Sequence, residues 1–152
     1  WCLQKTRKQI LKIQKIIPNI KFYIIGSNPT KEIIELESES IRVTGYISDE
    51  ELSEYYKKSD ALLFPSTLET WGLPITEFKA FKKPIILSKL PYAFETLGEY
   101  DKGSFFDPSN ANDLATKMAS LINGNLQFDK TSKMDEKVLI GWSDLYNKIL
   151  AK

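Results

Sequence analysis

The chain has 152 residues, 42% hydrophobic and 27% charged, with a formal net charge of +1. These values fit one soluble globular domain with a real core and give no electrostatic reason to bind nucleic acid or an anionic membrane. It contains no histidine and a single cysteine, Cys2, which excludes an internal disulfide, Ser-His and Cys-His nucleophiles and histidine-metal sites within the chain. No apolar run approaches the roughly 18 residues that span a bilayer, and no signal peptide is visible. The sequence opens on Trp1 and passes almost directly into a helical pattern, so it reads as a piece of a longer architecture.

Leu3, Ile10, Ile13, Ile16 and Ile17 recur at helical spacing among lysines, Arg7 and glutamines, predicting an amphipathic helix over 3–17 closed by Pro18-Asn19. Phe22 to Ile25 is an unbroken apolar run ended by Gly26, the pattern of a strand buried on both faces. A loop over 27–30 leads to a short charged helix over 31–39, and Ile41 to Tyr46 form a second strand interrupted at Gly45. Ser48, with Glu51 three residues on and acids through the first turn, starts a helix that runs to about Lys58. Ala61 to Phe64 is a third strand, 75–81 a helix, and Pro84 to Leu87 a fourth strand; 91–97 is a loop leading into a short helix. Gly103 to Phe106 is a fifth strand, stopped by Asp107-Pro108. Asn110 caps a helix with Leu114, Met118, Leu121 and Ile122 on one face, ending near Gly124. A polar stretch to about Lys133 precedes a closing helix that turns Trp142, Leu145, Tyr146 and Ile149 inward.

Short apolar strands alternating with helices predict an α/β fold: a Rossmann-like parallel sheet with helices on both faces, in one domain over 1–152. Ligands of such sheets lie beyond the carboxyl ends of the strands, so the loops after Ile25, Thr44 and Phe64 are the ones to inspect. No G-x-G-x-x-G follows a strand, no Gly-Lys-Ser/Thr occurs, and there is no Asp-x-Asp pair or Cys/His cluster. A dinucleotide fingerprint, a phosphate-binding NTPase loop and a metal-bridged diphosphate are therefore not indicated.

What remains is the stretch from Pro65 to Pro84, with Glu69 and Glu77 around Trp71, Gly72, Leu73 and Pro74. The spacing of the two glutamates carries no weight, since twelve glutamates in 152 residues supply about one such pair by chance. Their setting does. A buried strand delivers the chain into a Pro-Ser turn and a glycine, and Pro74, placed at the first helical position, gives up an amide that lacks an intrahelical partner. The amides of Gly72 and Leu73 suit a phosphate oxygen, and each carboxylate can accept two hydroxyl protons, Glu77 from a ribose and Glu69 from a hexose. The plainer alternatives are that Glu77 complements the helix dipole, worth roughly 0.3–1 kcal/mol, and that Glu69 is a solvated loop residue. Trp71 fits either a packed wedge or a stacking surface.

This stretch resembles the pattern Pro-Ser-x-x-Glu-x-aromatic-Gly-x-Pro-x-x-Glu of the retaining glycosyltransferases of family 4, also called group 1, which have the GT-B fold. The resemblance continues in Gly45-Tyr46-Ile47, Ser59-Asp60-Ala61, Leu90 to Glu95, Phe106-Asp107-Pro108, Asn112-Asp113-Leu114 and Trp142, spanning about Pro18 to Tyr146. It implies the C-terminal, donor-binding half of a GT-B enzyme, lacking its first strand, with an N-terminal acceptor domain outside this chain. It implies Glu69 as the catalytic residue beside the transferred sugar and Glu77 on the ribose. Ser66, Thr67, Trp71, Gly72 and Leu73 would lie around the donor and its diphosphate, and Gly45, Tyr46 and Ile47 would face the base. The implied substrates are a nucleotide-diphosphate sugar and a glycan or lipid-linked acceptor. Neither a metal nor another cofactor is implied. The expected setting is cytoplasmic polysaccharide biosynthesis, with peripheral contact at the inner face of the membrane for the whole enzyme.

Two departures from the pattern matter. The Arg and Lys that grip the diphosphate in the family belong near a first strand that would precede Trp1; Lys5, Arg7 and Lys8 read instead as a solvated helix face. Without that pair the isolated chain is expected to be inactive as a hexosyltransferase and to bind nucleotide sugars weakly. The family also ends the helix after Glu77 in glycine, where this chain has Lys82, which predicts a positive φ at Lys82. A non-catalytic nucleotide-binding module and a GT-B-like nucleotide-sugar epimerase are the alternatives to transfer.

Overall fold

The computed structural model describes residues 13–15, 19–26 and 28–130. Of the predicted 3–17 helix, residues 13–15 are helical, and Ile13 is fully buried against Ile86, Phe106 and Leu114. The rest of that helix, the basic residues on it, and the closing helix with Trp142 lie outside the described residues. In chain order the elements are β1 (Phe22–Ile25), α1 (Lys31–Ile34), β2 (Ile41–Thr44), α2 (Asp49–Lys58) and β3 (Leu62–Phe64), then α3 (Leu73–Lys79), β4 (Ile85–Ser88), α4 (Pro91–Leu97), β5 (Gly103–Phe106) and α5 (Ala111–Ile122).

Every strand pairing is parallel, but the strands form two sheets, β1–β2 and β3–β4–β5. In a doubly wound sheet ordered 3-2-1-4-5-6 the first strand lies in the middle. Counting these five strands as the second to sixth leaves two on one side and three on the other, which is the division found. Both sheets share one core, because Phe22 of β1 and Leu63 of β3 pack on the same cluster around Ile86 and Phe106.

β4 and β5 are buried along their whole length, as continuous apolar runs covered on two faces require. β1 departs from the prediction, with Tyr23 and Ile25 43% and 37% exposed. Its inner residues Phe22 and Ile24 reach the core, whereas Tyr23 is covered mainly by the ring of Tyr55 on α2, centroids 5.1 Å apart. The helix predicted over 31–39 is a single turn, because Ser38 turns back to exchange two backbone hydrogen bonds with Ile41. β2 stops at Thr44, leaving Tyr46 in solvent. Residues 91–97 are helical from Pro91 onward, since proline at the first position costs no hydrogen bond. On α5 the inner face is Leu114, Ala115 and Met118; Ile122 is turned out, 52% exposed.

The helix ends explain how short segments hold together. Ser48 and Glu51 form the predicted capping box, Ser48 Oγ accepting from Glu51 N at 3.2 Å and Glu51 Oε2 from Ser48 N at 3.0 Å. Asn110 Oδ1 accepts the amides of Asn112 and Asp113. At the other ends lysines do the capping. Lys83 Nζ donates to the carbonyls of Tyr56, Lys57 and Ser59 at the end of α2, and Lys79 Nζ donates to those of Thr96 and Leu97 at the end of α4. Burial lowers the Lys79 pKa from its ordinary value, while the helix C-terminus it faces favours its charge.

Candidate active site

The loop from β3 to α3 is built by its backbone. Phe64 ends the strand, and Ser66 is fixed from both sides: its hydroxyl donates to the carbonyl of Leu68 at 3.3 Å, and its own carbonyl accepts the Tyr92 hydroxyl at 2.7 Å. Gly72 is the N-cap of α3 and adopts the left-handed region, φ 81°. A Cβ there would lie 3.0 Å from Ile75 Cδ1 and 3.4 Å from Phe64 Cε1, so both conformation and space call for glycine. Pro74 is the second helical residue, not the first as predicted, because Leu73 already opens the helix. The physical reason for proline holds at either position, since neither amide has an intrahelical partner.

Trp71 is half-exposed and tied at two points. Its indole N–H donates to Thr76 Oγ1 at 3.1 Å, and its carbonyl accepts the buried Thr96 hydroxyl. Ile75 and Phe78 anchor α3 in the core. Glu77 lies on the opposite, exposed side of the helix, where the Tyr56 hydroxyl donates to its Oε2 at 3.0 Å. No acidic residue occupies the first turn of α3, so Glu77 sits too far along for the helix-dipole role weighed above. Glu69 is exposed in the loop with Thr67 and Leu68, and it forms no hydrogen bond or ion pair among the described residues.

Gly45, Tyr46 and Ile47 follow the carboxyl end of β2, and the 65–72 loop follows that of β3. Tyr46 is 86% exposed and Leu68 89%, so both present apolar surface to solvent. Three residues that position this region were not singled out in the sequence for that purpose: Tyr56, Tyr92 and Thr96. Tyr92 lay within a stretch quoted for the resemblance, but nothing local in the sequence says that its hydroxyl reaches back to Ser66. A buried tyrosine needs a partner for its hydroxyl, and for Tyr56 that need was the one available signal. A shallow groove of about 420 Å³ runs along α5 from Asn112 to Asn123 and Asn125, and among the described residues its lining includes no titratable side chain and none of the site residues. Among the described residues no helix is long and apolar enough to cross a membrane.

The family model described as glycosyl transferases group 1 matches residues 4–138. The chain belongs to the group 1 glycosyltransferases. It is 25% identical over 126 residues to sulfoquinovosyl transferase SQD2 of Arabidopsis thaliana, covering 80% of this chain and 25% of that protein. It is 31% identical over 106 residues to alpha-monoglucosyldiacylglycerol synthase of Acholeplasma laidlawii, covering 66% of this chain and 26% of that protein. The chain thus spans about a quarter of the length of these two relatives. Sucrose-phosphate synthase from Thermosynechococcus elongatus superimposes with a TM-score of 0.64 at 22% identity, over 77% of this chain and 33% of that one. That likeness concerns the fold, which is the Rossmann-like half of a GT-B architecture.

Proposed function

We propose that this chain is the donor-binding domain of a retaining glycosyltransferase that moves a sugar from a nucleotide diphosphate to a glycan or lipid-linked acceptor. The observation that carries the proposal is the β3–α3 unit. Glu69, a carboxylate with no partner among the described residues, and Glu77, an anchored one, flank a left-handed glycine and a helix start at the carboxyl end of a parallel strand.

In this reading Glu77 accepts the ribose hydroxyls, and Gly45, Tyr46 and Ile47 line the base. Ser66, Thr67 and Trp71 border the sugar, and the Gly72 and Leu73 amides meet the diphosphate. Glu69 lies beside the hexose as its anomeric carbon gains positive character and the diphosphate departs. Charge stabilisation at those two places is the main catalytic contribution, without a metal. The acceptor is held by another domain of the whole protein, which works at the cytoplasmic side of a membrane or free of it.

The test is transfer of labelled sugar by the intact protein from UDP, GDP or dTDP sugars to lipid or glycan acceptors. Glu69→Ala is expected to abolish transfer while nucleotide affinity persists, and Glu77→Ala to weaken nucleotide affinity. Interconversion of the donor without acceptor would replace transferase by epimerase. Nucleotide binding with neither reaction would reduce the chain to a binding module.

A further inference from the structure

We propose that Tyr56 is a positioning residue for the donor nucleotide: its hydroxyl holds one oxygen of Glu77 so that the other is preset for the ribose diol. The inference rests on the reading of Glu77 given above and adds a residue to it from a different helix.

The geometry separates the two ends of this contact. Tyr56 is 7% exposed, near the end of α2. Its ring meets Phe78 edge-on at 5.2 Å and Phe81 at 5.6 Å, so packing on two sides fixes where the hydroxyl points. Glu77 is an exposed helical side chain that by itself would exchange among rotamers. The 3.0 Å bond from the phenol to Oε2 removes that freedom and occupies one acceptor site, leaving Oε1 and the remaining lone pairs for a ligand. Burial, with the adjacent Glu77 carboxylate, raises the phenol pKa, so Tyr56 remains a donor throughout the working range of pH. Lys83 ties the same end of α2 by its Tyr56, Lys57 and Ser59 carbonyls. The donor hydroxyl is therefore braced by its own backbone as well as by its ring.

A bond that merely joins α2 to α3 predicts something different from a bond that aims a carboxylate. The first affects all ligands alike; the second affects those with a ribose diol. The experiment measures affinities of the intact protein for UDP and GDP and for their 2′-deoxy counterparts, dUDP and dGDP, by titration calorimetry. Tyr56→Phe keeps the ring and removes only the hydroxyl.

It is expected to weaken binding of the preferred ribonucleotide about three- to tenfold, the range of one hydrogen bond, and to leave the deoxy counterpart within about twofold. On a Glu77→Ala background the same substitution is expected to add nothing. Phe81→Leu, which slackens one wall of the ring while retaining the hydroxyl, is expected to reduce the ribose preference in the same direction but less. Equal losses for ribo- and deoxynucleotides, or no loss, would overturn the positioning role while leaving Glu77 on the ribose. If Glu77→Ala itself leaves the preference intact, the ribose assignment falls and this inference with it.

Discussion

The two-stranded and three-stranded parts of the molecule are made of similar sequence and behave differently. β4 and β5 are buried at every position, whereas β1 alternates between half-buried and exposed residues. The larger part packs around Ile75, Phe78, Ile85, Leu87 and Phe105, the smaller around Ile33, Leu36 and Ile41. Helix α2 joins them: its Tyr55 covers Tyr23 of β1, and its Tyr56 enters the larger core. The site divides in the same way, with both glutamates on the larger part and the Gly45 to Ile47 loop on the smaller. The more buried part thus carries both glutamates, Glu77 on α3 and Glu69 on the loop before it, while the loop assigned to the base sits on the part with fewer buried residues. Local stability follows burial, so hydrogen exchange is expected to be slowest in β4 and β5 and faster in β1 and β2.

The largest perturbation of this contrast is Gly103→Ala. A Cβ at Gly103 would overlap the Leu97 side chain, which is itself fully buried and would have to shift within the core. Overpacking of this kind costs about 1–3 kcal/mol, and the upper end is expected in thermal or urea unfolding. The change should erase much of the exchange advantage of the three-stranded part. If β4 and β5 remain as protected as before, burial is not what distinguishes the two parts.

Next comes Lys83→Met, which acts on the joining helix. The side chain keeps its length but loses three hydrogen bonds to carbonyls at the end of α2. Charge-assisted bonds contribute about 1.5–3 kcal/mol in favourable cases; exposure of part of this cluster points to about 2 kcal/mol or less. Exchange in α2 and around Tyr23 should quicken more than in β5. An unchanged α2 would show that its docking rests on Tyr55 and Tyr56 alone.

Alkaline unfolding separates the contribution of Tyr56 more finely. Its phenol is kept protonated by burial, then by its bond to Glu77, and Tyr100 is raised by burial and Asp101. An unfolded tyrosine titrates near 10. Above that pH the unfolded chain has lost protons that the folded chain still holds. Stability is therefore full below about pH 10 and falls as pH rises toward the folded values. Tyr56→Phe is expected to make that decline shallower, leaving the Tyr100 part. An identical slope in the two proteins would mean that Tyr56 titrates normally.

Much of this was legible because it is local. Ser48 and Glu51, Asn110, Gly103 to Phe106 and the class of fold follow from caps and apolar runs whose physics needs no distant partner. The extent of β1 was legible, but its half-exposed face was not, because burial depends on what covers Tyr23 and Ile25. The one-turn α1 was missed because the Ser38–Ile41 bridge is a pairing, not a propensity. In the candidate site the glutamates, Gly72 and the helix start were visible in the Pro65 to Pro84 stretch. The hydroxyls of Tyr56, Tyr92 and Thr96 were not, since each acts across at least 21 residues of sequence.

The smallest expected effect is also the one argued most directly from sequence. Lys82 has φ 54°, the one non-glycine residue with positive φ among those described. Its carbonyl accepts from Lys102 Nζ at 2.9 Å and its amide donates to Lys79 O at 3.1 Å. Both are backbone groups that a substitution keeps, and the side chain is exposed. Left-handed backbone costs an L-residue about 1–2 kcal/mol, while glycine gives back about 0.5–1 kcal/mol through the entropy of the unfolded chain. Lys82→Gly is therefore expected to stabilise the protein by up to about 1 kcal/mol in urea unfolding at unchanged m-value. The gain belongs wholly to the three-stranded part, so exchange in β1 and β2 should not slow by local opening. A loss of stability would mean that the Lys82 side chain does more than tolerate its backbone, and that the turn into β4 is shaped by lysine instead of merely accommodating it.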